Sequence, residues 1–481
     1  MTRWNPKKAL VHLALSAGVK GIGLISEDAV RRRIEKSKHD LSEPSSGDFL
    51  FKLFCEVKRR HRELSPNCLA RLVHNVVGDQ ILLGTPYRKR NKKELTDYPH
   101  MMVISPTMRC NLRCVGCYSA YYNRKDALST ADLDRVFAEA KDLGIRFVVV
   151  SGGEPFIRED FLQLCERHHD IIFMTYTNGT LIAERQLAPQ LAKLGNVIPC
   201  ISVEGYEKET TSRRGVGVWN RILAAMAALK QEGVIFGFSG TPTRLNNDLI
   251  VSDEFIDFYV ERGCMIGWYF SYMPVGRDPD LSLMPTPEQR LHRMRRIREI
   301  RASKPIVAAD FWCDGPLVGG CLSAGRRYFH VNAQGGVEPC VFHQFHVHNI
   351  KDVSLKTALS SDYFKYIRKR NREVRNIYRP CPIIDRPQIL RDALDKFHPT
   401  PSQEGAEKIG TVLASGLDEY AVKLKRVMDP VWQREFPDAP ETIDDSLHVG
   451  ERGRSLLKRE CSPSELPARK TDPRAPVPQG M

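Results

Sequence analysis

The sequence of 481 residues lacks any run of about 18 uninterrupted apolar residues, the minimum for a membrane-spanning helix. The chain is therefore not expected to cross a bilayer. It also lacks a clean secretory signal, because Pro6 and polar residues interrupt the apolar stretch behind the basic first residues. No internal repeat is visible, which argues against a solenoid or another repeat architecture.

A disulfide framework is also missing. The 13 cysteines are odd in number, and two groups of them are spaced like iron–sulfur ligands. Thiols of this kind persist in a reducing compartment, so a cytoplasmic location is expected. Six cysteines have no ligand spacing and are expected to be structural or incidental: Cys55, Cys68, Cys165, Cys200, Cys264 and Cys461.

A fourth cysteine is absent beside Cys110, Cys114 and Cys117, which form the run C-x3-C-x2-C. Four-iron clusters are normally held by four thiolates, so three ligands leave one iron open to a substrate or cofactor. A closed structural site would use all four positions. The alternative is a chance group of buried or zinc-binding thiols.

Downstream of these cysteines, predicted helices and strands alternate. Residues 128–150 predict a helix with Thr130 as its N-cap and a buried strand over 145–150, followed by Ser-Gly-Gly-Glu-Pro. Further strands are predicted over 171–176, 197–203, 234–239 and 265–272, with a helix over 220–231. The alternation implies an α/β fold with a parallel sheet, whose carboxyl ends collect functional groups.

The cysteine run and the later Gly-Gly-Glu-Pro resemble the signature of the radical SAM superfamily over about residues 101–272. The resemblance implies a partial (β/α)6 TIM-like barrel and a catalytic [4Fe-4S] cluster on Cys110, Cys114 and Cys117. In that family the open iron chelates S-adenosylmethionine (SAM), whose reductive cleavage yields a 5′-deoxyadenosyl radical. Gly116 departs from the family, which usually has an aromatic residue there, whereas here Tyr118 follows the third cysteine.

The resemblance also implies which residues contact SAM. They are Gly152, Gly153, Glu154, Pro155, Asn178, Ser202, Glu204 and Arg214. The residues alone also allow other roles. Asn178 and the Arg213–Arg214 pair are compatible with turns, and the hydroxyl of Ser202 could bond the backbone at the end of a strand. Tyr118, Tyr269 and Tyr272 are candidates for lining the barrel mouth, with core packing as the alternative.

A second set of cysteines, Cys321, Cys340 and Cys381, resembles the opening of a SPASM or twitch extension. The later run C-x2-C-x5-C-x3-C of a full SPASM domain is missing, so at most one auxiliary [4Fe-4S] cluster is expected. The alternative is an ordinary β-hairpin with buried thiols. The fourth position of the cluster is left open between an exposed iron and several side chains. The candidates are Cys313, His343, His346 and His348. Segments 328–331 and 337–342 predict a hairpin that brings Cys321 and Cys340 together.

The net charge of +14 suggests an anionic partner. The basic runs at 293–301 and 365–375 have helical spacing and are expected to be solvated helix faces. Residues 9–25 are apolar beside Trp4, Lys7 and Lys8, which is compatible with a helix lying on a membrane or, slightly favoured, a helix docked on the barrel.

Five regions follow from these patterns. They are a helical segment at 1–98, the barrel at 99–305, a small auxiliary iron–sulfur domain at 306–400, a C-terminal helix at 401–446 and a disordered tail at 447–481.

The expected function is hydrogen abstraction from an unactivated carbon by a radical SAM enzyme. The apolar N-terminus and basic charge favour a lipid or isoprenoid among small-molecule substrates, with peripheral association at the inner face of the membrane. Maturation of a peptide or protein is the alternative, and a basic nucleic-acid-binding protein with structural clusters is the non-enzyme alternative. Flavodoxin or ferredoxin is the expected electron donor, and nucleic acid is not an expected partner.

Overall fold

A computed structural model describes residues 11–437, apart from residues 14, 17, 20, 37–45, 84–98 and 126. The predicted tail at 447–481 lies outside the described residues, as do Trp4, Lys7 and Lys8. None of the described helices is long and apolar enough to cross a membrane.

A nine-stranded sheet forms the centre of the molecule, in the order β7-β6-β5-β4-β3-β2-β1-β8-β9. Neighbouring strands from β7 to β1 run parallel, as the alternation of helices and strands predicts. The strands are β1 Met102–Ile104, β2 Phe147–Val150, β3 Ile172–Thr177, β4 Val197–Val203, β5 Gly237–Gly240, β6 Ile266–Tyr269, β7 Val307–Asp310, β8 His330–Val331 and β9 Val337–Glu338. A separate antiparallel pair consists of β10 Phe345–His346 and β11 Thr400–Pro401.

Helices precede, connect and follow the strands. They are α1 Glu27–Lys36, α2 Ser46–Arg60, α3 Pro66–Arg71, α4 Thr130–Asp142, α5 Phe161–Arg167, α6 Thr180–Glu184, α7 Ala188–Leu194, α8 Glu207–Arg214, α9 Val218–Gln231, α10 Asp253–Glu261, α11 Pro287–Ser303, α12 Gly315–Val318, α13 Leu355–Leu359, α14 Asp362–Glu373, α15 Pro387–Phe397 and α16 Ala414–Glu435. A π-helix, Leu72–Leu83, continues α3, and short 3-10 turns lie at Ile22–Leu24, Pro155–Ile157, Leu249–Val251, Leu281–Leu283 and Ala406–Ile409.

Six helical crossovers connect β1 to β7, which confirms the predicted partial (β/α)6 barrel. The first crossover helix, α4, begins one residue earlier than predicted. Its N-cap is Ser129, not Thr130, because Ser129 and Asp132 form a reciprocal capping box. Strand β7 starts at Val307, so the barrel sheet continues past residue 305.

Alternating strand residues build two hydrophobic layers. Val148 and Val150 pack under the outer helices, whereas Val149 between them faces the barrel interior. The two-residue period of a strand produces this division. The interior layer also contains Ile22 and Val57 from the N-terminal segment.

The N-terminal helices contact the amino ends of the barrel strands. The amide of Gln80 donates to the carbonyl of His100, before β1, and accepts from the backbone N–H of Arg146, before β2. Asn75 donates to the carbonyl of His169, before β3. These contacts fix the π-helix Leu72–Leu83 against the amino ends of the barrel strands.

The auxiliary segment joins the barrel directly. Its predicted hairpin is present as β8 and β9, and β8 pairs in parallel with β1. A buried hydrogen-bond network crosses this junction. His330 lies between Ser105 (Nε2 to Oγ, 2.8 Å) and Glu338 (Nδ1 to Oε2, 2.6 Å), and the same carboxylate accepts from Tyr122 and Asn332.

The expectation of solvated faces over 293–301 and 365–375 is wrong at two arginines, because Arg293 of α11 and Arg368 of α14 are fully buried. Arg290 of α11, just before the first of these runs, is fully buried as well. Arg290 pairs with Asp385 and Arg293 with Asp310, so neighbouring carboxylates compensate the buried charges. Arg368 instead donates to the backbone carbonyls of residues 324 and 359.

Candidate active site

A cavity of about 790 Å³ occupies the barrel interior. All three cysteines of the first set line it. Every strand from β2 to β7 contributes a polar residue at or just after its carboxyl end: Ser151, Asn178, Ser202, Thr241, Ser271 and Asp310. The cavity therefore lies where the parallel sheet predicts the functional groups to collect. Its volume is typical of sites that hold a cofactor or a small substrate.

Hydrogen bonds connect the cysteine loop to the end of β3 and to the last turn of α8. The amide of Asn178 donates to the side chain of Asn111 at 2.8 Å and lies 4.0 Å from Cys110 Sγ. The backbone N–H of Val115 donates to the carbonyl of Arg213. Burial, together with the nearby charges of Glu154 and the other two cysteines, raises the pKa of the Cys110 thiol to about 11. A thiol in this environment favours the ionised form only when a metal binds it.

Gly152 and Gly153 line the cavity and also permit a close backbone contact. The N–H of Gly153 donates to the carbonyl of Thr107, and the next N–H donates to the carbonyl of Arg109. A Cβ on Gly153 would lie 2.1 Å from the Arg109 oxygen, and Gly152 has a φ of 110°. The glycines thus join the end of β2 to the residues just before Cys110.

Glu154 and Pro155 are buried and do not line the cavity. The Glu154 carboxylate accepts hydrogen bonds from Thr177 Oγ1 and the backbone N–H of Asn178, both at 2.8 Å. Burial raises the pKa of Glu154 to about 7 although these donors oppose the rise. In the structure Glu154 therefore holds the end of β3. It affects the cavity only indirectly, because it fixes the backbone of Asn178, which lines the cavity.

Glu204 and two arginines form a buried charged group at the end of β4. Glu204 Oε1 accepts from Arg213 and Arg214, whose guanidinium groups line the cavity. The other carboxylate oxygen, Oε2, is buried and has no hydrogen-bond partner among the described residues. An unsatisfied buried oxygen favours a ligand donor at this position. Ser202, two residues earlier, lines the cavity as expected.

Tyrosines complete the loop environment. The Tyr272 ring lies against Gly116, where an added Cβ would be 2.6 Å from a ring carbon. An aromatic ring from another part of the chain thus covers the position where the family usually has its own. Tyr118 contacts Ser151 through its hydroxyl at 2.6 Å. Tyr118 and Tyr272 line the cavity, whereas Tyr269 is buried and donates to the carbonyl of Ile250.

The second cysteine set lies beyond the far end of the same cavity. Cys340 and Cys381 are buried and Cys321 is half-buried. Burial raises the pKa of all three thiols, and the charge of Cys321 adds to the rise at both others. The hydroxyl of Tyr328 donates to Cys340 Sγ at 2.7 Å.

Three of the four side chains considered for the remaining ligand position have other contacts, and His348 is held through its backbone. Cys313 Sγ lies near Arg293 and the carbonyl of Arg290, and His343 hydrogen-bonds Tyr363. His346 contacts Ser402, and the carbonyl of His348 accepts a hydrogen bond from Val337. The charge of the Asp385 carboxylate contributes to the raised pKa of both Cys381 and Cys321, although this carboxylate also pairs with Arg290.

The donor sets fit iron–sulfur clusters better than single metal ions. Across the described part of the chain, no three His, Cys, Asp or Glu side chains are arranged to hold one metal ion. In a four-iron cluster each thiolate binds a different iron, so the sulfurs need not converge on one point. The open side of the first set faces a cavity with Arg214 and the polar strand ends, which suits a charged amino acid cofactor.

Sequence reasoning missed Asn111, Thr177 and Tyr328. Asn111 and Thr177 act through Asn178 and Glu154, and they carry no signal beyond their positions in the cysteine loop and at a strand end. Tyr328 is twelve residues from Cys340 and meets it only because the hairpin folds back.

A parallel barrel with an open three-cysteine loop at its carboxyl end, and a second cysteine set behind it, defines a class of iron–sulfur enzymes. Residues 104–248 match the sequence profile of the radical SAM superfamily, and residues 321–382 match that of the SPASM iron–sulfur cluster-binding domain. The two matches show a radical SAM domain followed by a SPASM domain within this chain. These domains confirm the expected cofactors, [4Fe-4S] clusters and SAM, and the expectation of a radical SAM enzyme.

Curated relatives differ in what they act on. The chain is 27% identical over 237 residues to Fe-coproporphyrin III synthase of Methanosarcina barkeri. The aligned region covers 46% of this chain and 58% of the relative. It is 28% identical over 258 residues to PqqA peptide cyclase of Rhizobium meliloti, 50% of this chain and 67% of the relative. The fold is similar to that of SuiB of Streptococcus suis bound to precursor peptide SuiA, with a TM-score of 0.50 and 17% identity. The match covers 67% of this chain and 82% of SuiB.

Proposed function

We propose that the protein is a radical SAM enzyme that abstracts a hydrogen atom from a carbon of a peptide. This proposal replaces the lipid or isoprenoid as the first choice of substrate. A peptide cyclase is among the sequence relatives. The lipid interpretation depended on the basic charge and on an apolar N-terminus. In that segment Ile22 is buried in the same hydrophobic cluster as the residues that face the barrel interior, which weakens the case for a membrane-facing helix.

The observation that carries the proposal is a pair of unused donors in the cavity wall. Trp268 and Arg277 both line the cavity. Among the described residues, neither Trp268 Nε1 nor Arg277 Nε has a hydrogen-bond partner, although both atoms are buried. A buried donor without an acceptor costs about 1–3 kcal/mol. Carbonyl groups of a bound peptide would satisfy both donors, whereas a hydrocarbon chain would satisfy neither.

The proposed roles of the residues follow from their positions. Cys110, Cys114 and Cys117 hold the catalytic cluster, and Cys321, Cys340 and Cys381 hold an auxiliary cluster. When bound, the first cluster and SAM supply a 5′-deoxyadenosyl radical that removes a hydrogen atom from the substrate.

The proposed SAM-binding groups are those of the strand ends. Gly152 and Gly153 offer backbone, Asn178 and Ser202 offer polar side chains, and Arg214 offers a cation for a carboxylate. Glu154 acts by holding Asn178, and Glu204 acts by holding Arg214 and offering its unpaired oxygen. The surrounding aromatic rings exclude water from the reacting carbon.

A tetrapyrrole is a second candidate. Trp268 and Phe270 are stacked with an interplanar angle of 16° and both line the cavity, so together they offer a flat wall. Such a wall suits a flat conjugated ring. The similarity to Fe-coproporphyrin III synthase supports the same candidate.

The test is a selection of peptides from an mRNA-displayed library of random sequence on the reconstituted protein. Enriched peptides are then added to the reduced enzyme with SAM, and formation of 5′-deoxyadenosine and the mass of the peptide are measured. The proposal predicts stimulated turnover and a changed peptide mass. Trp268→Phe keeps a ring but loses the donor, and should weaken peptide binding about three- to tenfold. Trp312→Phe is the matched control, because Trp312 is not part of the cavity lining.

Two results would contradict the peptide. One is stimulation of turnover by Fe-coproporphyrin III but by none of the enriched peptides, which would favour the second candidate. The other is stimulation by farnesyl diphosphate alone, which would restore the isoprenoid reading.

A further inference from the structure

Tyr328 connects the cavity to the second cysteine set. Its ring is 1% exposed, lines the cavity and packs edge-on against Phe311 with the centroids 5.5 Å apart. Its hydroxyl donates to Cys340 Sγ at 2.7 Å. A substrate in the cavity and a cluster on Cys340 would therefore lie on opposite sides of one side chain.

The choice of a sulfur acceptor distinguishes this tyrosine from two others in the core. Tyr259 and Tyr269 are equally buried, and their hydroxyls donate to the backbone carbonyls of Gly205 at 2.7 Å and Ile250 at 2.8 Å. A thiol is a weak acceptor, but a thiolate accepts a charge-assisted hydrogen bond. Metal binding would keep Cys340 as a thiolate, and the hydrogen bond from Tyr328 is most favourable to that form.

We infer that Tyr328 donates a hydrogen bond to the Cys340 thiolate of the auxiliary cluster and raises the reduction potential of that cluster. Hydrogen bonds to cluster sulfurs are among the factors that set cluster potentials. A donor stabilises the reduced cluster more than the oxidised one, because reduction adds negative charge to the sulfurs. Tyr328 is therefore a positioning and tuning residue of the auxiliary cluster.

A second donor near the same sulfur makes the effect measurable. The backbone N–H of Phe342 lies 3.5 Å from Cys340 Sγ and remains in any side-chain variant at position 328. Removal of the phenol hydroxyl should therefore shift the potential without removing all support from the thiolate.

The experiment isolates the auxiliary cluster. The full chain carrying Cys110→Ala, Cys114→Ala and Cys117→Ala is reconstituted anaerobically, and iron and sulfide are counted. The midpoint potential is then measured by a redox titration followed by electron paramagnetic resonance. Tyr328→Phe is compared with Tyr259→Phe in the same background, since each loses one buried hydroxyl. This inference depends on the auxiliary-cluster assignment and not on the class of substrate, so a failed peptide test leaves it unaffected.

The inference predicts that both variants keep their iron and that only Tyr328→Phe has a more negative midpoint potential. An unchanged potential in Tyr328→Phe, or no iron in the background protein, would overturn it. If Tyr328→Phe loses its iron, 3-fluorotyrosine introduced at position 328 decides the question. This more acidic donor should raise the potential, and an unchanged value would overturn the inference.

Discussion

Gly153 lies where the turn after β2 touches the chain just before Cys110. Its own N–H and that of Glu154 hydrogen-bond the carbonyls of Thr107 and Arg109. The contact leaves no space for a side chain, because a Cβ would lie 2.1 Å from the Arg109 oxygen. This glycine thus fixes the distance between the strand end and the cysteine loop.

Gly153→Ala should force these two backbones apart and destabilise the protein by about 1–3 kcal/mol. The cysteine loop would move with Arg109, so iron binding after reconstitution should fall as well. Thermal unfolding and an iron count measure the two effects. Gly240→Ala is the control, because a Cβ there would meet its neighbours at 3.6–3.7 Å, an ordinary contact. Equal behaviour of the two variants would contradict the proposed role.

His343 is a buried histidine of the auxiliary segment. Its Nε2 is 2.8 Å from the hydroxyl of Tyr363. Burial lowers the pKa of His343 to about 3 from its usual 6.5. The unfolded chain therefore binds a proton that the folded chain does not between these two values.

Stability should accordingly fall as the pH decreases from about 6.5 towards about 3, and His343→Gln should weaken this dependence because glutamine does not titrate there. Urea unfolding of the protein without clusters at about pH 5 and about pH 8 measures the difference. The variant and the parent should differ more in how their free energy of unfolding changes with pH than in its value at about pH 8. An identical loss of stability on acidification in both proteins would show that His343 is not responsible.

Single residues were predictable where a local pattern marks them. The three cysteines, the paired glycines and Asn178 all follow from spacing or from the end of a strand, and the structure brings them to one cavity. Thr177 has no such pattern, because its partner Glu154 lies at the end of a different strand, and Tyr328 meets Cys340 only through the predicted hairpin. Glu154 belongs to the predicted motif, but only the fold shows that its carboxylate turns to β3.

At the scale of elements, the hairpin β8–β9 extends the barrel sheet at β1. The buried network of Ser105, His330 and Glu338 holds this junction, and Glu338 accepts two further hydrogen bonds from Tyr122 and Asn332. The hairpin also carries the segment that leads to Cys340. The position of the auxiliary cysteines relative to the barrel therefore depends on this carboxylate.

Glu338→Gln should destabilise the protein by about 1–3 kcal/mol, because an amide places a donor among the donors that surround the carboxylate. Chemical denaturation measures the free energy of unfolding. Glu232→Gln is the matched control, since Glu232 is only half-buried and follows the end of α9. A loss of unfolding free energy in the control as large as that in Glu338→Gln would contradict the role of the network.

Elements were predictable in proportion to how local their signals are. Strand β4 has the predicted bounds, since residues 197–203 are apolar apart from Ser202 near the carboxyl end. Strand β7 was not predicted, because four residues after a charged helix carry little periodicity. The pairing of β8 with β1 is a contact between distant segments, and neither strand shows it in its own sequence. The burial of Arg293 likewise depends on Asp310 from a different element.

At the scale of the whole molecule, one cavity reaches from the first cysteine set to the wall that covers the second. Residues of the N-terminal helices, such as Phe49 and Val76, line the opposite part of it. The N-terminal segment thus closes the barrel at the amino ends of its strands, while the auxiliary segment covers the carboxyl ends. A reactive intermediate formed in the cavity would be shielded from water on both sides.

The most direct test is 5′-deoxyadenosine formation by the anaerobically reconstituted protein with dithionite and SAM, compared with Cys114→Ala. The account predicts product from the parent and none from the variant, which should retain the iron of the auxiliary cluster. No product from a parent that holds its full complement of iron, with no binding of SAM, would contradict the account. Equal product from both proteins would contradict the assignment of the first cysteine set.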